Sequence, residues 1–139
     1  MLILDTNVIS EFMRDDPNPA VLAWLDRQDR QSVWITAISI MELHFGIHAM
    51  PPGRRKTILR RGLDRLVTGR IGDRIAVFDA DAAITTAMIS AERRRAGRPG
   101  EMRDSMIAGI ALSKGASLAT RNTRHFADLT VALIDPWTG

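Results

Sequence analysis

Four oxygen-bearing side chains are far apart in the sequence, but each lies at a position from which the folded chain could bring it to one site. Asp5 directly follows the apolar run Met1–Leu4, and Asn122 follows a second short strand pattern. Glu42 lies within a helical pattern, and Asp104 lies at the start of another. Carboxylate and amide oxygens, in a chain without Cys, are the ligands that hard cations such as Mg²⁺ or Mn²⁺ prefer. These residues indicate metal-dependent phosphate chemistry.

The elements that must position these residues alternate between strands and helices. The predicted strands are Met1–Leu4, Ser32–Ile35, Ile75–Phe78, Ser117–Ala119 and Val131–Ile134. The predicted helices are Asn7–Arg14, Pro19–Gln28, Thr36–Met50, Gly53–Val67, Asp79–Ala96 and Met102–Ser113. This order predicts an α/β fold, with a parallel central sheet of four to five strands and helices on both faces, in one domain spanning residues 1–139. Ligands of such sheets bind beyond the carboxyl ends of the strands, near a switch in strand order, so we expect Asp5 and Asn122 at one edge.

The helical positions of Glu42 and Asp104 strengthen this expectation. Three- and four-residue spacing places Glu42 on the same helix face as a set of apolar residues: Ile38, Phe45, Gly46 and Ala49. A carboxylate among apolar side chains is unfavourable unless it is paired or bound to a metal. Asp104 lies in the first turn of its helix, where free N–H groups favour an anion, and Glu101 can serve as the cap instead. For each acid taken alone, a pair with Arg103 or Arg121 is the alternative.

Composition and charge restrict the function classes. The 139 residues carry a formal net charge of +3, but the span 54–98 contains twelve Lys or Arg against five acids. A basic middle beside an acidic site suits a polyanionic substrate, and a solvated helix face is the alternative reading. No apolar run is long enough for a membrane span, and the chain opens on a strand pattern, so we expect a cytoplasmic protein with no membrane partner.

A pair of histidines and a run of arginines are also considered as functional residues. His44 and His48 have the spacing of a zinc pair but lack the catalytic Glu between them, so we expect them to be surface residues. The run Arg93–Arg95 is suited to RNA contact, and it also lies in the last turn of a helix, where cations are favoured in any case.

Four segments resemble the motifs of PIN-domain nucleases. They are Ile3–Ser10 (ILDTNVIS), Ile40–Leu43 (IMEL), Asp104–Ala108 (DSMIA) and Ala119–Phe126 (ATRNTRHF). The likeness runs from Met1 to Asp135–Trp137, and the chain closely resembles the VapC toxins of type II toxin–antitoxin pairs, in particular their FitB-like branch. One departure is Asn122, where many members of the family have Asp; an amide can still offer an oxygen but brings no charge.

The resemblance implies a Mg²⁺- or Mn²⁺-dependent endoribonuclease that leaves a 5′-phosphate and a 3′-hydroxyl. It carries Asp5, Glu42 and Asp104 over as metal-site acids, with Asn122 as the fourth catalytic position. The expected residues for substrate binding or support of the site are Thr6, Asn7, Thr120 and Arg121. It also implies a homodimer, a VapB-like antitoxin that inhibits the enzyme, and a larger complex on operator DNA.

Two alternatives to the ribonuclease differ in class. In the first, the chain is a largely non-hydrolytic co-repressor that acts with a DNA-binding antitoxin, and Asn122 favours this reading. In the second, it is a phosphatase of the haloacid dehalogenase type, which also places an Asp after its first strand. That family requires a second Asp two residues later, where this chain has Asn7.

Overall fold

The central sheet contains five parallel strands, as seen in a computed structural model that describes residues 1–139. The strands are β1 (Leu2–Leu4), β2 (Val33–Thr36), β3 (Ile75–Ala76), β4 (Ser117–Ala119) and β5 (Leu133–Ile134). Their order across the sheet is β3-β2-β1-β4-β5, so the chain builds outward from β1 in one direction and then returns to build in the other. The switch in strand order therefore falls between β1 and β4, and the loops after these two strands open at that point.

Six helices connect the strands. They are α1 (Thr6–Met13), α2 (Pro19–Asp26), α3 (Ala37–Ala49), α4 (Arg54–Leu66), α5 (Ala80–Arg95) and α6 (Met102–Lys114). Local sequence sets their starts, because Asn18, Thr36, Asp79 and Glu101 each accept a hydrogen bond from a backbone N–H of the following helix. The predicted α/β fold with helices on both faces is confirmed.

Alternating side chains of the strands divide the core into two layers. Leu2 and Leu4 pack with α1 to α4 on one face of the sheet, whereas Ile3 packs with α5 and α6 on the other. Leu118 and Ala119 of β4 separate in the same way. Since both faces are covered, the strands read as continuous apolar runs, which is why the sequence predicts them.

Several strands and helices begin or end at residues other than those predicted. The third strand ends at Ala76 rather than Phe78, because Val77 is 56% exposed and no longer pairs with a neighbour. The fifth strand begins at Leu133 rather than Val131. The helix after Gly53 continues past its predicted end as a π-helical segment, Val67–Ile71, before the chain enters β3.

One glycine sets the distance between α5 and α6. A Cβ atom at Gly109 would lie 2.0 Å from Thr86 Oγ1 and 2.9 Å from the backbone oxygen of Ala82. Only glycine fits this contact, so α6 lies close against α5. None of the helices has both the length and the apolar character needed to cross a membrane.

Candidate active site

Asp5 occupies the end of the central strand and caps the helix that follows. Its side chain accepts a hydrogen bond from the Thr6 backbone N–H at 2.8 Å. The other carboxylate oxygen accepts bonds from Thr120 Oγ1 at 2.8 Å and from Asn7 Nδ2 at 3.2 Å. Asp5 is only 3% exposed. The end of β1 therefore fixes a buried carboxylate whose three donors are all neutral.

The pKa of Asp5 is raised above its ordinary value of 3.8. Burial is the largest cause, and the nearby charges of Asp104 and Glu42 act in the same direction. The hydrogen bonds from Thr120 and Thr6 act in the opposite direction. The three acids therefore lie near enough to repel one another electrostatically, although they come from three separate elements.

Glu42 reaches the site from α3 and is tied to Asp5 through one residue. Thr6 Oγ1 donates a hydrogen bond to Glu42 Oε1 at 2.9 Å, and Ser39 Oγ lies 2.8 Å from the same hydroxyl. Arg103 Nη1 lies 3.7 Å from Glu42 Oε2, so one of the predicted alternative partners is present. This arrangement leaves Glu42 partly exposed in a polar setting.

The expected apolar face around Glu42 is wrong. Phe45 is 69% exposed, and Gly46 and Ala49 are exposed as well; of the predicted face only Ile38 is buried. The buried face of α3 is instead formed by Ile38, Ser39, Leu43 and Ile47. The helix is apolar on nearly every side, so its sequence did not indicate which side faces the sheet.

Asp104 lies in the first turn of α6, as predicted, and Glu101 supplies the cap. The Glu101 carboxylate accepts bonds from the backbone N–H groups of Arg103 and Asp104, at 3.0 and 3.3 Å. This leaves the Asp104 side chain free, and its Oδ2 lies 3.1 Å from His125 Nδ1. His125 belongs to the fourth motif, but sequence reasoning gave it no role. Its position in a 3₁₀ turn, Thr123–Phe126, brings it back over the start of α6.

The loop after β4 holds Thr120, Arg121 and Asn122 beside Asp5. Thr120 is fully buried, and its hydroxyl accepts from the Asn122 backbone N–H at 3.0 Å while donating to Asp5. The Arg121 backbone N–H donates to Asn7 Oδ1 at 3.1 Å, and its guanidinium lies 4.8 Å from the ring centroid of Trp137. The Asn122 side chain is exposed and makes no hydrogen bond. The predicted residues thus converge, except that the Asn122 amide is not engaged with the acids.

Oxygen-rich donors and mutual repulsion make this site chemically suited to a hard divalent cation. Asp5 carries a raised pKa because of burial and neighbouring acids, and a cation would offset both causes. No group of three or more His, Asp or Glu side chains is arranged to hold an ion as the side chains stand. Glu42 is turned toward Arg103 and Asp104 toward His125, so an ion would share these two carboxylates with their present partners.

The histidine pair and the arginine run noted in the sequence differ in their exposure to solvent. His44 and His48 are exposed and lie side by side, with ring centroids 6.1 Å apart. In the Arg93–Arg95 run, Arg94 and Arg95 are exposed, but Arg93 is only 4% exposed. The suggestion that this run contacts RNA is therefore wrong for Arg93, whose guanidinium is turned inward.

A groove of about 500 Å³ adjoins the acids on the side of Glu42. Its wall combines apolar residues such as Leu43 with four arginines: Arg14, Arg55, Arg103 and Arg121. A second, more polar cavity of about 540 Å³ adjoins Asp104 and His125. The acids therefore lie between two openings, and the second is also lined by arginines: Arg93, Arg98 and Arg124.

Known proteins resemble this chain along its whole length. The PIN domain family model matches residues 2–131. The VapC ribonuclease Y4jK of Sinorhizobium fredii is 39% identical over 137 residues, which cover 99% of this chain and 98% of the relative. The toxin FitB of Neisseria gonorrhoeae is 35% identical over 137 residues, covering 99% of both chains. The crystal structure of FitAcB from that organism matches with a TM-score of 0.87 over 99% of both chains.

A more distant structure extends the comparison to a complex with DNA. The DNA-bound VapBC complex of Salmonella typhimurium matches with a TM-score of 0.80 at 28% identity, covering 97% of both chains. Matches of this extent include every element that carries the acids, from β1 to the loop after β4. The chain therefore belongs to the PIN-domain family and, within it, to the VapC-like branch that includes FitB.

Proposed function

We propose that this protein is the toxin of a type II toxin–antitoxin pair and acts as a Mg²⁺- or Mn²⁺-dependent endoribonuclease. The observation that carries the proposal is the Asp5 carboxylate, buried at the switch point of a parallel sheet with two further acids near enough to raise its pKa. A fold that holds three acids against their own repulsion, beside a groove with four arginines, suits an ion and a phosphodiester. The ribonuclease name of a 39% identical relative supports the same activity.

The roles of the acids follow from their present partners. Asp5 and Asp104 are the proposed direct ligands of the ion, and Glu42 contributes through water or as a base. When bound, the ion supplies a water of lowered pKa and neutralises phosphate oxygens. Thr6 and Thr120 orient the acids through their hydroxyl groups, at 2.9 Å from Glu42 and 2.8 Å from Asp5. Asn7 Nδ2 supports the same Asp5 carboxylate oxygen, to which it donates at 3.2 Å, and it also donates to Thr120 Oγ1 at 3.3 Å.

The arginines of the groove bind the RNA backbone. Arg121 is exposed at the groove wall, and its planar guanidinium is suited to phosphate. Arg103 presents the same chemistry but is shared with Glu42 and Glu101, so substrate phosphate competes with these carboxylates for it. This wall makes the affinity for RNA dependent on salt, as for other polyanion sites.

Cleavage of total bacterial RNA tests the enzyme directly. The antitoxin-free protein is incubated with RNA in Mg²⁺, Mn²⁺ or EDTA, beside an Asp5→Ala variant whose fold is verified by circular dichroism. We expect discrete fragments with either metal, and none with EDTA or with the variant. No cleavage by folded wild-type protein with any metal would reject the ribonuclease.

The partners of the proposed toxin are a VapB-like antitoxin, a second copy of the chain and, through the antitoxin, operator DNA. The likeness to FitAcB and to a DNA-bound VapBC complex supports this assembly for a single-domain, cytoplasmic protein. The DNA-bound relative, together with the uncharged Asn122, also supports the second candidate, a co-repressor with little hydrolytic activity. Growth arrest separates the two: Asp5→Ala abolishes it only if the enzyme is responsible. Operator binding by the complex is unchanged by Asp5→Ala under either reading and serves as the control.

A further inference from the structure

Arg93 forms a buried junction between three elements that meet beside the acids. Its side chain is 5% exposed and leaves the last turn of α5 toward the interior. Nε and Nη2 bind the two carboxylate oxygens of Asp128 at 2.9 and 3.0 Å, a two-point pair. Nη2 also donates to the backbone oxygen of His125 at 2.7 Å, and Nη1 donates to Ser105 Oγ at 3.0 Å.

The backbone around this guanidinium is shaped to admit it. Gly100 has a φ of +50°, and a Cβ atom there would lie 2.9 Å from Arg93 Nη1. The Arg93 carbonyl accepts the Arg98 N–H at 2.7 Å, which closes the end of α5. The Arg93 guanidinium also lowers the pKa of Asp128, as expected for a paired carboxylate. Close packing and a nearly complete donor set show that this is a fixed contact rather than a surface ion pair.

Two of the groups bound by Arg93 adjoin the contact between Asp104 and His125. Ser105 follows Asp104 in the first turn of α6, and the carbonyl that Arg93 binds belongs to His125 itself. One guanidinium therefore bridges α6 and the 3₁₀ turn, and Asp104 Oδ2 and His125 Nδ1 meet at 3.1 Å between the same two elements.

We propose that Arg93 is a positioning residue that holds Asp104 and His125 in register for the metal-dependent site, an inference that rests on the proposed function. Groups that orient the ligands of a metal typically change its affinity about 10- to 100-fold when they are replaced. Lysine at this position keeps the charge but has a single ammonium group, which cannot bind Asp128, His125 and Ser105 in the same geometry. The loss should therefore appear in metal affinity and in turnover more than in the binding of RNA.

The test compares Arg93→Lys with Arg94→Lys, the same substitution at the next, exposed position of the same helix. Free Mn²⁺ is measured by electron paramagnetic resonance to give an affinity without RNA, and kcat and KM for RNA cleavage are measured separately. We expect Arg93→Lys to weaken Mn²⁺ binding about tenfold or more and to lower kcat at saturating RNA. Arg94→Lys should match the wild type in Mn²⁺ binding.

Ser105→Ala gives a second, milder test that leaves the Asp128 pair intact, in case Arg93→Lys does not fold. It should lower the Mn²⁺ affinity in the same direction by a smaller factor. Folded Arg93→Lys with an Mn²⁺ affinity within twofold of the wild type would overturn the positioning role, as would an unfolded Arg93→Lys together with an unaltered Ser105→Ala. If the wild-type protein neither binds Mn²⁺ nor cleaves RNA, both the proposed function and this inference are overturned. That result differs from the one expected here, in which the wild type binds Mn²⁺ and only the variants lose affinity.

Discussion

Replacement of Thr120 by valine should destabilise the fold, and more strongly when Asp5 is ionised. Thr120 is fully buried, and its hydroxyl donates to Asp5 Oδ2 at 2.8 Å while it accepts from the Asn122 N–H at 3.0 Å. Valine keeps the shape but has neither donor nor acceptor. A hydrogen bond to a charged group contributes about 1.5–3 kcal/mol and a neutral one about 1 kcal/mol. We therefore expect the free energy of unfolding to fall by roughly 2–4 kcal/mol at neutral pH.

The direction of the pH dependence follows from the pKa of Asp5. Burial raises this pKa above 3.8, so Asp5 lowers the stability of the wild type as the pH rises through the raised value. The bond from Thr120 lowers the pKa, so its removal raises the pKa further. The variant's loss in free energy of unfolding, relative to the wild type, reaches its full size above the pKa that Asp5 has in the variant. It shrinks as the pH falls from that value to the pKa in the wild type.

Urea unfolding followed by circular dichroism, at a series of pH values, measures both effects. The matched control is Thr130→Val, since Thr130 is exposed. The control should lie within about 0.5 kcal/mol of the wild type. The reasoning is refuted if Thr120→Val loses no more stability than the control, or if its loss is the same at acid and neutral pH.

Three further changes probe the packing and the proposed ion site. Gly109→Ala should lower the free energy of unfolding by about 1–3 kcal/mol, because the new Cβ would overlap Thr86 Oγ1. The control is Gly46→Ala, whose Cβ would have no atom within 4 Å and which should be neutral or stabilising. Thermal unfolding compares the two variants. Mn²⁺ at a hundred times its dissociation constant should stabilise the wild type by about 2.7 kcal/mol and Asp104→Asn by clearly less, and equal shifts would argue against Asp104 as a ligand. Asn122→Asp should tighten Mn²⁺ binding in calorimetry, because it adds a negative charge to the loop that holds Thr120 beside Asp5. An unchanged affinity would place this side chain outside the site.

The sheet was predictable because its strands are buried on both faces. Leu2, Ile3 and Leu4 are all apolar, so the run reads as a strand whichever side faces the helices. Placing Asp5 beside the loop after β4 then needed only the rule that ligands bind at the switch in strand order. The caps at Asn18 and Asp79 were predictable for a different, local reason: a short polar side chain directly before a helix commonly accepts a hydrogen bond from the first free N–H groups.

The orientation of α3 and the burial of Arg93 were not predictable from local pattern. The apolar residues of α3 surround the helix, so Phe45 was as good a candidate for the core as Leu43, and packing against the rest of the chain decided between them. Arg93 differs from Arg94 only in its angle around α5, and its partners Asp128 and His125 lie more than thirty residues away. A contact of that kind depends on the complete fold, which is also why His125 received no role from the sequence.

The partners of the three acids determine which of them gains most from a cation. Glu42 already has Arg103 at 3.7 Å, and Asp104 has His125 at 3.1 Å. Asp5 has only neutral donors, is the most buried of the three, and its pKa is raised by burial and by both other acids. A cation therefore relieves an uncompensated charge at Asp5, whereas at Glu42 it must displace an arginine. This difference makes Asp5 the first ligand and Glu42 the weakest, so the proposed site should lose its ion on Asp5→Ala but retain weakened binding when Glu42 is replaced.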